Sequence, residues 1–245
     1  MMLNMNMNGL IALLGSGEYL PVMNETDSYL LKHTVAAGHT PRVVCFPTAA
    51  GMEGDESVGR WKRMGEEHFR ALGADVTALH ITNRAEADNP QLAAIIQQAD
   101  LIYFSGGNPS YLFETMQGSK AWEAVLAATE RGAAFAGCSA GAMFVGGFLP
   151  DLRGFKLRQQ SAFALLPKSH IFPHFDRMVA WRGVTIPILQ PLIPAGEYAL
   201  GLDEDTALVG KQSGPWQVMG RQKVYVITKT EIKTYATGEQ VTLPA

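Results

Sequence analysis

The sequence predicts an α/β fold in which a mostly parallel β-sheet lies between two layers of helices, with antiparallel strands at its C-terminal edge. Over the first two thirds of the 245 residues, short apolar runs alternate with longer amphipathic stretches. Such continuous apolar strands are typical of parallel sheets that are buried on both faces. The last third instead contains closely spaced strand-like runs separated by turns, which favours antiparallel pairing. No linker, internal repeat or low-complexity tract interrupts the chain, so we expect one domain spanning residues 1–245.

Each expected element follows from its own local pattern. The apolar runs that would form the parallel strands lie at residues 10–14, 42–46, 75–79, 101–104 and 133–137. Helical patterns lie at residues 27–37, 55–72, 91–99 and 110–131. The last of these should consist of two helices, because Gly118 and Ser119 interrupt it. In the stretch "PWQVMGRQKVYVITKTEIKTY" we expect antiparallel strands, with turns near Gly220 and Lys229, that close the edge of the sheet.

Composition and charge exclude several classes of protein. Hydrophobic residues make up 47% of the chain and charged residues 18%, which is the composition of a globular protein with a sizeable core. The net charge is −3 and no block of Lys and Arg occurs, so nothing favours nucleic acid or a membrane as a partner. The apolar run at residues 10–14 is too short to span a bilayer. Two cysteines, Cys45 and Cys138, cannot build a disulfide framework, so we expect a cytoplasmic protein.

Motifs for cofactors and metals are missing from the sequence. The dinucleotide fingerprint G-x-G-x-x-G would begin at Gly15, but Leu20 stands in the place of its last glycine. His170 and His174 have the spacing of a helical zinc pair, but Pro173 between them disfavours a helix. No P-loop, H-E-x-x-H motif or multi-cysteine cluster occurs. We therefore expect neither a cofactor nor a metal.

Four loops directly follow expected parallel strands, and ligands of such sheets bind beyond the carboxyl ends of the strands. These loops lie at residues 15–18, 47–51, 105–109 and 137–141. The last has the pattern G-x-S-x-G around Ser139, which is weak evidence when taken alone. Its place between a strand and an expected helix gives it the form of a nucleophile elbow, in which flanking glycines avoid clashes at a strained serine. The helix beginning near Ala140 would direct its amides and positive dipole end at developing negative charge.

A serine nucleophile needs a base and an acid that orients it. Among six histidines, His170 and His174 lie among apolar and aromatic neighbours in "KSHIFPHFDRM". The candidate acids follow in "GLDEDTALVG", which contains Asp203, Glu204 and Asp205. The order Ser, acid, His of α/β-hydrolases is unsuitable because Asp151, twelve residues after the serine, is the sole carboxylate between Ser139 and His174. The order Ser, His, acid remains open.

These motifs together resemble a known family. The segments "FSGGNPSYL", "GCSAGA", "PHF" and "GLDEDTALV", with "LLGSGEYLP", "FPTAAG" and "WQVMGRQKVYVI", are similar to those of the peptidase E and cyanophycinase family of serine peptidases. The resemblance covers nearly the whole chain. It implies the three-layer sandwich of class I glutamine amidotransferases, which is flavodoxin-like.

The resemblance also implies roles for individual residues. It makes Ser139 the nucleophile, His174 the base and Glu204 the acid, with Asp203 and Asp205 as the alternatives for the acid. The oxyanion hole would use the backbone amides of Gly106, Gly107 and Ala140. Members of the family cleave peptides next to aspartate, either aspartyl dipeptides or a β-aspartyl-arginine polymer. The expected partner is thus a small peptide substrate, and a homodimer is left open.

Two departures from the family pattern concern the substrate. In cyanophycinases a serine and an Arg-Gly-Arg element follow the histidine motif, whereas this chain has "HFDRMVAWRG". The chain also has "FSGG" where many relatives carry a longer glycine run. Asn108, Arg177 and Arg182 are the candidate substrate-binding residues, and the two arginines could pair with a substrate carboxylate through a bidentate fork.

Two alternatives remain beside the serine hydrolase. The first is an amidotransferase-like domain with a thiol nucleophile, for which Cys138 lies one place away from the centre of the elbow. The glycines flank Ser139 symmetrically instead, so Cys138 is expected to pack against the sheet. The second is a non-catalytic binding or regulatory module that keeps the fold.

Overall fold

The structure is a computed structural model that describes residues 7–36, 38–151, 156–178, 183 and 185–244. Strands within these residues are β1 (Ile11–Leu14), β2 (Arg42–Phe46), β3 (Asp75–Ala78), β4 (Leu101–Phe104), β5 (Ala134–Cys138), β6 (Gly146–Asp151), β7 (Lys156–Ser161), β8 (Leu166–Phe172), β9 (Tyr198–Leu202), β10 (Thr206–Gly210), β11 (Trp216–Gly220), β12 (Lys223–Thr228), β13 (Ile232–Ala236) and β14 (Gln240–Val241). Helices are α1 (Asn24–Thr34), α2 (Asp55–Ala71), α3 (Arg84–Ala87), α4 (Pro90–Gln97), α5 (Pro109–Met116), α6 (Lys120–Arg131), α7 (Ala140–Met143) and α8 (Ile186–Leu189). Short 3₁₀ turns lie at Pro21–Met23, Thr48–Glu53, Phe175–Arg177 and Gln190–Leu192.

The main sheet has the order β14-β11-β10-β1-β5-β4-β2-β3. The strands β1 to β5 pair in parallel, and β10, β11 and β14 extend the sheet in antiparallel pairing. The predicted fold class, a mostly parallel sheet with antiparallel strands from the C-terminal third, is thereby confirmed. Each of the five apolar runs forms a strand within one residue of its expected bounds.

The parallel strands are apolar throughout because helices cover both faces of the sheet. In β4 the side chains of Ile102 and Phe104 lie in the same core cluster as α4 and α6, whereas Tyr103 lies in the cluster that contains α1 and α2. Successive strand residues point to opposite faces, so a strand buried on both sides has no polar alternation. Burial of these side chains contributes about 25 cal/mol per Å² of apolar surface.

The helix ends explain the interrupted pattern at residues 110–131. Helix α5 ends at Met116, and Gly118 adopts a positive φ of 64°. The side chain of Ser119 then accepts a hydrogen bond from the Trp122 amide and begins α6. Such a cap stabilises a helix by about 1 kcal/mol. The two predicted helices are therefore separated by a local capping signal.

A second sheet of order β13-β12-β9-β8-β6-β7 was not predicted. Strands β6, β7 and β8 come from residues 146–172, the segment that joins the elbow to His174, and β8 pairs in parallel with both β6 and β9. Strands β11 and β12 are consecutive but belong to different sheets. The expected closing edge is thus divided between the two sheets. β11 extends the main sheet through β10, whereas β12 pairs with β9 and β13 pairs with β12 at the edge of the second sheet.

Side chains from both sheets share one core cluster, which includes Phe104 and Phe135 of the main sheet and Ile171 and Leu200 of the second. This shared core agrees with the expectation of one domain, which stays a prediction. In the described ranges, no helix combines the length and the apolar character that a membrane span requires.

Candidate active site

Ser139 lies in a sharp turn between β5 and α7 at the carboxyl edge of the main sheet. Its backbone has φ 51° and ψ −110°, a region that side-chain-bearing residues rarely occupy and that costs about 1–3 kcal/mol. The turn is closed so tightly that a Cβ at Gly137 would lie 1.9 Å from the carbonyl oxygen of Gly141. A Cβ at Gly141 would lie 2.4 Å from the carbonyl oxygen of Phe104. Both glycines of the G-x-S-x-G pattern are therefore required by the packing of the elbow.

Hydrogen bonds hold this strained turn in place. The Ser139 amide donates to the Leu14 carbonyl at 3.0 Å, which continues the pairing of β5 with β1. The Ser139 carbonyl accepts from the amides of Ala142 and Met143, so α7 begins directly at the serine. The serine side chain is left half-buried at the strand end.

His174 and Glu204 complete a chain of hydrogen bonds with Ser139. His174 follows the end of β8, and its Nε2 lies 3.1 Å from Ser139 Oγ. Its Nδ1 lies 3.0 Å from Oε1 of Glu204, which occupies the turn between β9 and β10. The side chains of His174 and Glu204 are 28% and 23% exposed, so a substrate can reach them while most of the surrounding water is excluded. This arrangement can transfer a proton from the serine hydroxyl to the imidazole.

The three adjacent carboxylates have different surroundings. Asp203 is 3% exposed, and its Oδ2 accepts a hydrogen bond from the Lys223 amide at 3.3 Å. Burial, with the nearby charge of Asp176, raises the pKa of Asp203 to about 6. Asp205 instead lies near Arg221, with Oδ2 3.5 Å from Nη1. Glu204 is thus the carboxylate that contacts the histidine.

Arg177 and Asp176 fix the position of Glu204. The Nε of Arg177 donates to Glu204 Oε2 at 3.0 Å, and Asp176 Oδ1 accepts from the Glu204 amide at 2.9 Å. The hydrogen bond to Glu204 raises the pKa of Arg177, which stays charged. Arg177, which was expected to bind substrate, contacts Glu204 through its Nε, and its role in substrate binding stays a prediction. Arg182, the other candidate arginine, lies outside the described residues.

Two backbone amides are candidates for holding a developing oxyanion: Ala140 follows Ser139 directly, and Gly107 follows Gly106, which lies against Ser139. Ala140 is the first residue of α7, so its N–H has no acceptor within the helix. Gly107 has φ 140°, and a Cβ there would lie 2.4 Å from the backbone of Ala49. Nothing in the described part of the chain accepts a hydrogen bond from the Gly107 amide. Only glycine can therefore hold this amide so close to the loop after β2.

The amide of Gly106 has a contact that the sequence analysis did not assign. It donates to Oε1 of Glu18 at 2.9 Å, and its expected place in the oxyanion hole stays a prediction. Glu18 lies in the loop after β1 and is 9% exposed. Sequence reasoning assigned no role to Glu18, although a carboxylate in a loop after a parallel strand was a usable signal.

Asn108 has a structural contact that the sequence analysis did not assign. Its Oδ1 accepts from the Tyr111 amide at 3.0 Å and thereby caps α5. Its Nδ2 lies 3.7 Å from Met52 Sδ. The side chain is exposed beside Gly107, so its role in substrate binding stays a prediction.

The thiol alternative does not fit the structure. Cys138 is fully buried, and its Sγ donates to Glu18 Oε2 at 2.9 Å. Burial and the charge of Glu18 raise the pKa of this thiol well above its usual range, which disfavours the thiolate that a nucleophile requires. His170, one of the two histidines considered for zinc, lies in the second sheet with its Nε2 2.6 Å from Glu197 Oε2, whereas Nε2 of the other, His174, lies beside Ser139. No group of three metal-ligating side chains is found among the residues described.

Comparisons with known proteins agree with this fold. The family model "Peptidase family S51" matches residues 11–213. Curated cyanophycinases of Trichormus variabilis and Nostoc sp. are 25% identical over 206 residues, which is 80% of this chain and 66% of theirs. The chain therefore spans slightly less than two thirds of the length of these relatives.

Solved structures extend the similarity. A peptidase from an acI-B1 Actinobacterium superposes with a TM-score of 0.87 at 32% identity, over 98% of each chain. A putative peptidase E from Listeria monocytogenes EGD-e has a TM-score of 0.57 at 17% identity, over 94% of this chain and 99% of the other. The second likeness concerns the fold alone.

Proposed function

The chain belongs to peptidase family S51, and from this premise we propose that it is a serine hydrolase that cleaves a peptide or isopeptide bond next to an aspartyl residue. Ser139 is the nucleophile, His174 the general base and acid, and Glu204 the carboxylate that orients the imidazole. The observation that carries the proposal is the continuous chain of contacts, 3.1 Å from serine to histidine and 3.0 Å from histidine to glutamate.

In the acylation half, His174 Nε2 removes the proton of the Ser139 hydroxyl while Oγ forms a bond to the substrate carbonyl carbon. Glu204 accepts the Nδ1–H hydrogen bond, which fixes the tautomer with a free Nε2 and stabilises the imidazolium that forms. The carbonyl oxygen becomes an oxyanion that the amides of Gly107 and Ala140 stabilise. His174 then gives its proton to the leaving amine as the C–N bond breaks, which leaves an ester on Ser139.

The deacylation half repeats these steps with water. His174 removes a proton from water, whose oxygen attacks the ester carbonyl at the same oxyanion site. Collapse of the tetrahedral adduct returns the proton to Ser139 Oγ and releases the acid product. Water replaces the amine in this half, so the reaction needs no further reactant.

The aspartyl preference rests on family similarity and on one cation. Arg177 is 56% exposed in its side chain and uses Nε for Glu204, and its terminal nitrogens make no hydrogen bond to a described residue. A guanidinium can bind a substrate carboxylate through these nitrogens. The similarity to curated cyanophycinases also supports this preference.

The test is hydrolysis of a substrate panel by the wild type and by Ser139→Ala. The panel contains aspartyl dipeptides, β-aspartyl-arginine and matched dipeptides with Asn in place of Asp. We expect cleavage of an aspartyl member that falls by at least about 10³-fold in the variant. Full activity of Ser139→Ala would refute the serine mechanism, and equal rates for Asp and Asn members would refute the aspartyl preference. A folded wild type that cleaves no member and does not react with a fluorophosphonate would favour the non-catalytic module.

A further inference from the structure

Glu18 connects three loops at the carboxyl edge of the main sheet. It follows β1, and its two carboxylate oxygens contact residues after β4 and at the end of β5. Oε1 accepts from the Gly106 amide, and Oε2 accepts from the Cys138 thiol, both at 2.9 Å. Since β5 lies between β1 and β4 in the sheet, the carboxylate reaches across the nucleophile elbow.

The backbone around Glu18 is fixed on both sides. Gly17 and Tyr19 have positive φ angles of 87° and 63°. The buried ring of Tyr19 packs against Tyr103 with a centroid distance of 5.0 Å. The Gly15 amide donates to the Thr206 carbonyl at 2.9 Å, which ties the start of the same loop to β10. The carboxylate is therefore presented from a rigid loop.

Gly106 lies directly against the nucleophile. A Cβ at this position would be 2.9 Å from Glu18 Oε1, 3.2 Å from Ser139 Cβ and 3.6 Å from Ser139 Oγ. The next peptide plane carries the Gly107 N–H, one of the two amides available for the oxyanion. This plane lies between two glycines, whose backbone angles are permissive, so local preference does not set its direction.

Contacts on either side of that peptide plane hold it instead. On the C-terminal side, the Asn108 amide donates to the Ala49 carbonyl at 2.8 Å. On the N-terminal side, the hydrogen bond from the Gly106 amide to Glu18 Oε1 restrains the plane in the same way. Loss of the carboxylate would leave the Gly106 amide unpaired and allow the plane to rotate, which would change the direction of the Gly107 N–H.

We propose that Glu18 is a positioning residue that directs the Gly107 amide into the oxyanion hole by holding Gly106. The proposal rests on the proposed hydrolase function for its kinetic consequence. The role is geometric, because Glu18 carries no cationic partner among the described residues and a negative charge near an oxyanion does not stabilise it. A neutral side chain of the same shape can therefore replace it.

The experiment compares Glu18→Ala and Glu18→Gln with the control Asp100→Ala. Glu18→Gln keeps an oxygen that can accept from Gly106, whereas Glu18→Ala removes it. Asp100 is a matched control because it is also a buried carboxylate, 8% exposed, that accepts a backbone hydrogen bond, here from Arg42 at 2.9 Å. It precedes β4, at the end of this strand opposite the active site.

We expect kcat of Glu18→Ala to fall by about 10²-fold, as for the loss of one oxyanion donor, with KM within about threefold of wild type. Glu18→Gln should retain kcat within about threefold, and Asp100→Ala should lose stability without losing kcat. The Gly106 amide should exchange with solvent at least about tenfold faster in Glu18→Ala and at the wild-type rate in Glu18→Gln.

Each contrary result has a defined meaning. Unchanged Gly106 exchange in Glu18→Ala would overturn the anchoring role, and faster exchange with unchanged kcat would overturn the link to the oxyanion hole. A rate loss equal in Glu18→Ala and Glu18→Gln would show that charge matters and overturn the geometric role. If the wild type cleaves no member of the substrate panel, that result counts against the proposed function and not against the positioning role. The rate at which a fluorophosphonate labels Ser139 then replaces kcat as the measured quantity. Equal labelling rates for wild type and Glu18→Ala would overturn the positioning role.

Discussion

Replacement of Glu204 by Gln is the sharpest test of the proposed acid, because its neighbours fix the outcome. Glu204 Oε1 lies 3.0 Å from His174 Nδ1, and Oε2 accepts from Arg177 Nε at 3.0 Å. Arg177 can only donate, so the amide oxygen of a glutamine must face it. The NH₂ group then faces Nδ1, which must accept, and the histidine is forced into the tautomer with its proton on Nε2.

The magnitude follows from the tautomer. An Nε2 that carries a proton cannot remove the proton of Ser139, which lies 3.1 Å away. In Ser-His-Asp proteases the equivalent change from carboxylate to amide lowers kcat about 10⁴-fold, which corresponds to about 5.5 kcal/mol in the barrier. Here we expect a loss of about 10³–10⁴-fold, because the side chains of Glu204 and His174 are partly exposed and water can replace some of the lost stabilisation.

The assay is kcat on the preferred member of the substrate panel, measured for Glu204→Gln, Arg177→Met and the double variant. Arg177→Met alone should stay within about tenfold of wild type. The double variant should be faster than Glu204→Gln by at least about tenfold, because removal of Arg177 lets the glutamine oxygen turn to Nδ1. A Glu204→Gln rate within tenfold of wild type, or a double variant no faster than the single one, would refute the reasoning.

Three further predictions concern the elbow, the histidine and Asp203. Ser139→Ala and His174→Ala should each lower kcat by a similar factor, and the double variant should lower kcat by no more than either single variant, because the two groups act as one unit. Steady-state kinetics in which the two losses add would contradict this prediction. Gly137→Ala should unfold at a much lower temperature than wild type, because its Cβ would lie 1.9 Å from a carbonyl oxygen. Gly59→Ala within α2 is the control, because its Cβ would meet just one arginine nitrogen at 3.4 Å. Calorimetry should show that this control stabilises the folded protein by about 0.5–1 kcal/mol. Burial raises the pKa of Asp203 to about 6 from 3.8, so the folded state holds this proton more tightly than the unfolded state and loses stability as pH rises through this interval. Asp203→Asn should therefore gain stability over wild type in urea unfolding at about pH 8 but not at about pH 3, and an equal difference at both pH values would exclude the raised pKa.

The sequence by itself determined the parallel part of the fold and the location of the elbow. The runs at residues 10–14, 42–46 and 101–104 are apolar throughout because their strands are covered on both faces, and this pattern is local. The elbow was also readable, since the steric demand for glycine at Gly137 and Gly141 arises within a few residues of Ser139. These features depend on neighbours in the chain, so a single sequence contains them.

Tertiary structure decided what depends on distant parts of the chain. Glu204, and not Asp203, contacts His174 because of how the turn between β9 and β10 meets this histidine 30 residues earlier in the chain. The division of β11 and β12 between two sheets could not be predicted. The local residue pattern of each segment indicates a strand, but it does not indicate which sheet the strand joins. The bond from Glu18 to Gly106 joins residues 88 positions apart. Pattern and spacing identify which side chains can react, but only the packing of β1, β4 and β5 side by side determines which of them meet, because strand order is set by contacts that local sequence does not encode.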